Sequence, residues 1–154
     1  MPMYDNWSAA FLLPFQGGTT GIDNSTNTTE TGEPTLAPGG AGKTLWVKFV
    51  PEDNGIWRFT GTTPVPKFRT ALDVYEMGPG GTGIADLVHL GGDVSTSVSD
   101  SSNVEVELVI GESYWIRFDS VDSPGGNAGL SWTQLTSTPP PGGWGVGMVR
   151  MGAN

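Results

Sequence analysis

Few residues in this chain can do chemistry, and their spacing decides what kind. There is no cysteine, and the single histidine, His89, sits in the run L-V-H-L. Thiol catalysis is excluded, and a hydroxyl nucleophile of the Ser-His type would have only that one imidazole as its base. Its apolar neighbours make His89 a strand or turn residue rather than a poised base. Glu105 and Glu107 are two apart, so on a strand both point the same way and solvate an outward face. A glycosidase needs two carboxyls flanking a cleft, and nothing in the sequence suggests one. The expectation is a protein without catalytic residues.

Oxygen-bearing side chains gather in one stretch. Asp23, Asn24, Glu30 and Glu33 lie between Gly17 and Gly42, a region dominated by Gly, Thr, Asn, Ser and Pro. Hard cations take several oxygen ligands from loops of this kind, so the four are a candidate calcium site. Ionised carboxylates also accept strongly from N–H groups, and pinning the loop to backbone amides is the preferred role for Glu30 and Glu33. Trp46, Trp57, Trp115 and Trp132 all fall in strand-like runs, where core packing accounts for most of them. Trp115 and Arg117 share one side of their run, which makes them candidates for an outward contact or for cover by a loop.

Strands must position these residues. Thr44 to Val50 places Leu45, Val47 and Phe49 on one side and Trp46, Lys48 and Val50 on the other, the alternation of a sheet with two different faces. Pro51 ends the run, Asp53-Asn54-Gly55 supplies turn residues, and Ile56 to Thr60 resumes it, which predicts a central hairpin. Trp7 to Leu13 is expected over an edge or end, with a weak strand near Thr19 to Asp23. Thr70, Leu72 and Val74 oppose Ala71, Asp73 and Tyr75. Ile84 to Leu90 fits a strand or a helical turn; Gly91-Gly92 then breaks the chain before a weak strand at Val94, Thr96 and Val98. Val104, Val106, Leu108 and Ile110 are predicted inward, and Tyr114, Ile116 and Phe118 alternate with Trp115, Arg117 and Asp119. The final strand is Leu130 to Leu135. Roughly eight strands spaced by about ten residues predict an all-β, antiparallel β-sandwich.

Composition agrees. The chain has 154 residues, with 24 Gly, 12 Pro and only 15% charged residues, which suits short strands and turns better than long amphipathic helices. Six Trp and six Phe give enough apolar surface for a core. A net charge of −9 repels phosphate backbones, which argues against a nucleic-acid partner. No apolar run is long enough for a membrane helix. The opening M-P-M-Y-D-N-W-S does not read as a secretory signal. The sequons at Asn6, Asn24 and Asn27 read as polar turns.

An ordered set of motifs carries a resemblance. G-E-P-T-L (Gly32–Leu36), G-K-T-L-W-V-K-F-V-P-E-D-N-G-I-W-R-F, F-R-T-A-L-D-V-Y, G-E-S-Y-W-I-R-F-D (Gly111–Asp119) and G-G-N-A-G-L (Gly125–Leu130) stand in order. With D-N-W-S-A-A and T-E-T-G-E-P, they make residues 5–135 resemble the bacterial pre-peptidase C-terminal domain. The resemblance implies a jelly-roll-like β-sandwich that serves as a binding or solubility module of secreted hydrolases and surface proteins. Some members bind calcium, and related modules occur in phage structural proteins. Arg69 and Asp73 depart from the usual pattern.

The end of the chain changes character, so the organisation expected is a sandwich over residues 1–136 and an extended arm over 137–154. S-T-P-P-P-G-G forms a spacer. Trp144, Val146, Met148, Val149, Arg150 and Met151 then form a docking segment suited to a neighbouring protein's edge or pocket. The sequence reads as one whole module starting at its own Met. The function expected is a non-enzymatic bacteriophage virion component, head-decorating or tail-associated. The arm would anchor it to neighbouring virion proteins or to further copies of itself, and the sandwich would meet a host-surface glycan. The alternative is a secreted carbohydrate- or protein-binding accessory module of a hydrolase, stabilised by calcium.

Overall fold

The computed structural model describes residues 5–14, 16–34, 42–62, 68–121 and 125–138. Of the arm expected over 137–154, residues 139–154, with the docking residues Trp144 to Met151, lie outside them. Among the described residues, nine strands form two sheets: β1 (Phe11–Leu12), β2 (Gly18–Asp23), β3 (Leu45–Phe49), β4 (Gly55–Thr62), β5 (Thr70–Met77), β6 (Leu87–Val94), β7 (Ser102–Leu108), β8 (Tyr114–Ser120) and β9 (Asn127–Ser137). One sheet has the order β1-β3-β8-β5-β6 and the other β2-β9-β4-β7. Every pairing is antiparallel except the two-residue parallel match of β1 with β3. The molecule is the expected all-β, jelly-roll-like sandwich. Its last strand runs through Ser137, just past the boundary expected after residue 136.

The core lies between the sheets. Leu45, Val47 and Phe49 of β3, Leu72 and Val74 of β5, and Ile116 and Phe118 of β8 meet Trp57 and Phe59 of β4, Val104 and Leu108 of β7, and Leu130 and Trp132 of β9. Phe49 bridges the layers, with ring centroids 4.8 Å from Trp57 and 5.6 Å from Phe59. These edge-on contacts add to the apolar burial that drives sheet-on-sheet packing.

The central hairpin is corrected. β3 and β4 do not pair: β3 lies between β1 and β8, and β4 between β7 and β9. Residues 50–54 form a corner that carries the chain from one sheet to the other, and Phe49 and Trp57 consequently face each other across the core. Turn-forming residues specify a reversal but not whether the strands they join share a sheet.

Two further strands depart from expectation. β6 runs straight through Gly91-Gly92 to Val94, preceded by a single 3-10 turn at Ile84–Asp86. Ser95 to Ser101 forms no strand. The glycines serve close approach rather than a break. A Cβ at Gly92 would lie 2.3 Å from Asp73 Oδ1, and the pairing of β6 with β5 shifts register between Val74 and Tyr75, a bulge that absorbs an extra residue. Ile110, expected inward, sits in the turn after β7 and is 49% exposed.

Candidate functional site

The outer face of the five-stranded sheet is covered over its middle strands. Every residue of β8 is buried, because a second apolar layer covers that face. Trp46, Tyr75 and Trp115 form its centre, and Trp7, Ala10, Met77, Ile84 and Leu87 pack on them. The cover comes from the segment around the 3-10 turn Trp7–Ala9 and from the polar loop ending at Pro34. Trp115 therefore packs beneath Trp7, with ring centroids 5.6 Å apart, and Lys48 Nζ lies 5.3 Å from its ring. Arg117 is 1% exposed. Both were candidates for an outward contact, with cover by a loop as the alternative for Trp115. The structure makes them interior residues, since a strand covered on both faces loses the polar–apolar alternation.

Arg117 is the centre of a buried ionic cluster. Nη2 donates to Asp73 Oδ2 at 3.1 Å and Nη1 to the Pro34 carbonyl at 2.5 Å, with Glu33 Oε2 4.0 Å away. The guanidinium lies 5.6 Å from the Trp46 ring and 5.2 Å from that of Tyr75, which adds cation–π attraction in a desolvated setting. Burial raises the Tyr75 hydroxyl well above its ordinary range. The other oxygen of Asp73 is 2.8 Å from Nε2 of the half-exposed His89. A histidine oriented by a buried acid can move a proton, but no hydroxyl nucleophile hydrogen-bonds to His89 among the described residues.

The four candidate calcium ligands do not converge. Asp23 is exposed and Oδ1 accepts from the Ser25 amide, which lowers its pKa. Asn24 is fully buried: Nδ2 donates to the Lys43 carbonyl at 2.7 Å and Oδ1 accepts from the Gly126 amide at 2.9 Å. Glu30 Oε2 accepts from the Trp7 amide at 2.6 Å; burial, opposed by that bond, raises its pKa. Glu33 Oε1 accepts from the Glu30 amide and from Trp46 Nε1, and lies 2.9 Å from the Thr44 hydroxyl. Calcium needs about six oxygens directed at one point. These oxygens instead pin the loop to the sheet, and no group of three His, Cys, Asp or Glu among the described residues could hold a metal ion. Two of the sequon asparagines are interior as well, Asn27 Nδ2 donating to the Thr44 carbonyl.

One buried carboxyl should give stability a pH dependence. Burial pushes Asp119 up to about 6, against the pull of the Lys43, Ser120 and Gly42 amides and of Arg117. Between about pH 4 and 6 the unfolded chain has lost this proton while the folded chain keeps it, so stability falls as pH rises through that window. Asp119→Asn preserves an acceptor for the Lys43 amide and removes the titration. Its stability relative to wild type should rise by about 2 kcal/mol from pH 4 to pH 7. Urea melts at the two pH values test this, and a difference independent of pH would count against it.

An apolar groove at one end of the sandwich went unread in the sequence. Phe11, Leu12 and Pro14 face Val50, Pro51 and Ile110 across about 630 Å³, with Glu52 at the side. Phe11, Leu12 and Ile110 are 39%, 56% and 49% exposed. The walls are held by backbone: the Leu13 amide donates to the Lys48 carbonyl and the Gly111 amide to that of Pro51. Asn54 ties this end together, its Oδ1 accepting from the Ile110 amide and its carbonyl from the Thr138 amide. Trp132 Nε1 reaches the carbonyls of Pro14 and Gln16. The apolar run F-L-L-P was the available signal, but Ile110 looked like part of a strand.

No family model and no curated protein matches the sequence. Among solved structures, the chain is similar to CorA, a surface-associated copper-binding protein important in copper acquisition by Methylomicrobium album BG8. The TM-score is 0.51 at 5% identity, over 81% of this chain and 97% of that one. The Eiger TNF of S. frugiperda aligns at a TM-score of 0.31 and 11% identity, over 82% of this chain and 93% of that one. At these identities the likeness to CorA is one of fold: this chain is a β-sandwich.

Proposed function

We propose that this protein is a non-enzymatic structural or attachment component of a bacteriophage virion, head-decorating or tail-associated. The sandwich is the displayed body, and the groove end, with the segment that follows Thr138, is the docking end. The observation that carries the reading is the exposed apolar groove beside the point where β9 ends. Exposed apolar surface of this kind marks a site of interaction with a protein, a membrane or a ligand. The resemblance to pre-peptidase C-terminal modules, related forms of which occur in phage structural proteins, supports the same reading. The reading as a calcium-stabilised accessory module leans on Asp23, Asn24, Glu30 and Glu33, whose polar groups are engaged within the protein.

Particles purified by density gradient from a producing culture should contain the chain, detected by peptide mass spectrometry. A version lacking residues 139–154 should be lost from the particles and remain in the soluble lysate. Undiminished incorporation of the shortened chain would overturn the anchoring role, and absence of the full chain from particles would overturn the virion reading.

A further inference from the structure

We propose that the apolar groove receives the Trp144–Met151 segment of a second copy of this chain, so that two copies exchange arms. The inference deepens the attachment reading by naming a partner for the docking end. The groove volume falls in the range of sites that bury a compact ligand, and its exposed walls are aliphatic and aromatic. The segment has matching chemistry. In W-G-V-G-M, Trp144, Val146 and Met148 alternate with glycine, so an extended chain presents all three side chains to one side and a bare backbone to the other. Charge agrees as well: Arg150 is the one charged residue after Thr138, and Glu52 lines the groove.

The arm begins beside its own groove, and the residues that follow bear on whose groove it fills. Thr138 is tied to Asn54, and Asn54 to Ile110, so each arm leaves its own molecule at the groove end. The sequence continues with Pro139-Pro140-Pro141, and a run of prolines disfavours the sharp reversal that filling the adjacent groove of the same molecule would require. A two-fold axis at that end brings each arm opposite the other copy's groove. The result is a closed dimer rather than an open chain.

Light scattering coupled to size-exclusion chromatography of the full chain should give twice the chain mass. Ile110→Glu and Trp144→Glu, one in a groove wall and one in the arm, should each give a monomer. Mixing them should restore some heterodimer, since one intact arm then meets one intact groove. Glu52→Lys, at an exposed position that should not disturb folding, should weaken the dimer about tenfold, and adding Arg150→Glu should restore it. A full chain that is monomeric, including one whose arm lies back on its own groove, overturns the inference. So does a dimer that survives both Ile110→Glu and Trp144→Glu. A monomer that still enters particles only with residues 139–154 present sinks the exchange and leaves the attachment reading standing. A dimer absent from particles does the reverse.

Discussion

Replacing Asp73 with alanine should cost about 3–5 kcal/mol of folding stability, the loss typical when one partner of a buried ion pair is removed. Arg117 is 1% exposed, and its direct partners are Asp73 Oδ2 and the Pro34 carbonyl, with Glu33 Oε2 at 4.0 Å. Without Asp73 the guanidinium keeps its charge, because arginine does not deprotonate in a protein. It would then be held between two aromatic rings with only Glu33, at 4.0 Å, and the Asp119 carboxyl as more distant counter-charges. Arg117→Met fails in the opposite sense, leaving two buried acids without their cation. The double variant Asp73→Ala/Arg117→Met removes both charges and leaves Glu33 with its Trp46 and Glu30 donors. It should therefore be more stable than the sum of the single losses predicts, by about 2 kcal/mol. His89→Ala should cost less than about 1 kcal/mol, since that partner is half exposed and its pairing is screened by water. Equilibrium unfolding in guanidinium measures all four, and an Asp73→Ala variant within 1 kcal/mol of wild type would show that the cluster carries little of the fold.

That cluster also marks where the sequence stops being legible. Within a strand, alternation is local and can be read directly: Leu45, Val47 and Phe49 were expected on one face and are buried together. Whether the opposite face meets water depends on distant segments. Arg117 binds residues 44 and 83 positions away, and no local pattern distinguishes a cation covered by such a loop from one that is solvated. For the same reason the sequence leaves Trp115 open between an outward contact and cover by a loop, and the structure shows the cover. Glu30 and Glu33 could be read better, because a carboxylate in a loop rich in N–H donors has an obvious local use, and the structure shows both used that way. The groove was hidden for a third reason. It is assembled from Phe11–Pro14, the corner after β3 and the turn after β7, and three separate short apolar pieces do not reveal that they share one end of a sandwich.

Gly55→Ala should destabilise the protein by about 3 kcal/mol, at the upper end of what overpacking costs, although the change adds a single methyl group. Gly55 opens β4 directly after the corner that crosses between sheets, and it pairs with both Leu108 and Ser137. A Cβ there would lie 1.9 Å from the Thr136 carbonyl oxygen and 2.8 Å from Gln134 Nε2. The nearer atom is backbone and cannot rotate aside, so β9 would have to move at the shift in its register with β4. Gly21→Ala is the control. It lies in a strand as well, a Cβ there meets nothing within 4 Å, and losing the backbone freedom of glycine in the unfolded chain should leave stability unchanged or raise it by about 0.5 kcal/mol. Chemical denaturation of the two variants separates steric demand from composition. Equal effects would mean that the corner yields at little cost. A large gap would mean that the step from β3 to β4, which reads in sequence as a hairpin turn, is held as a corner by how closely two backbones must approach.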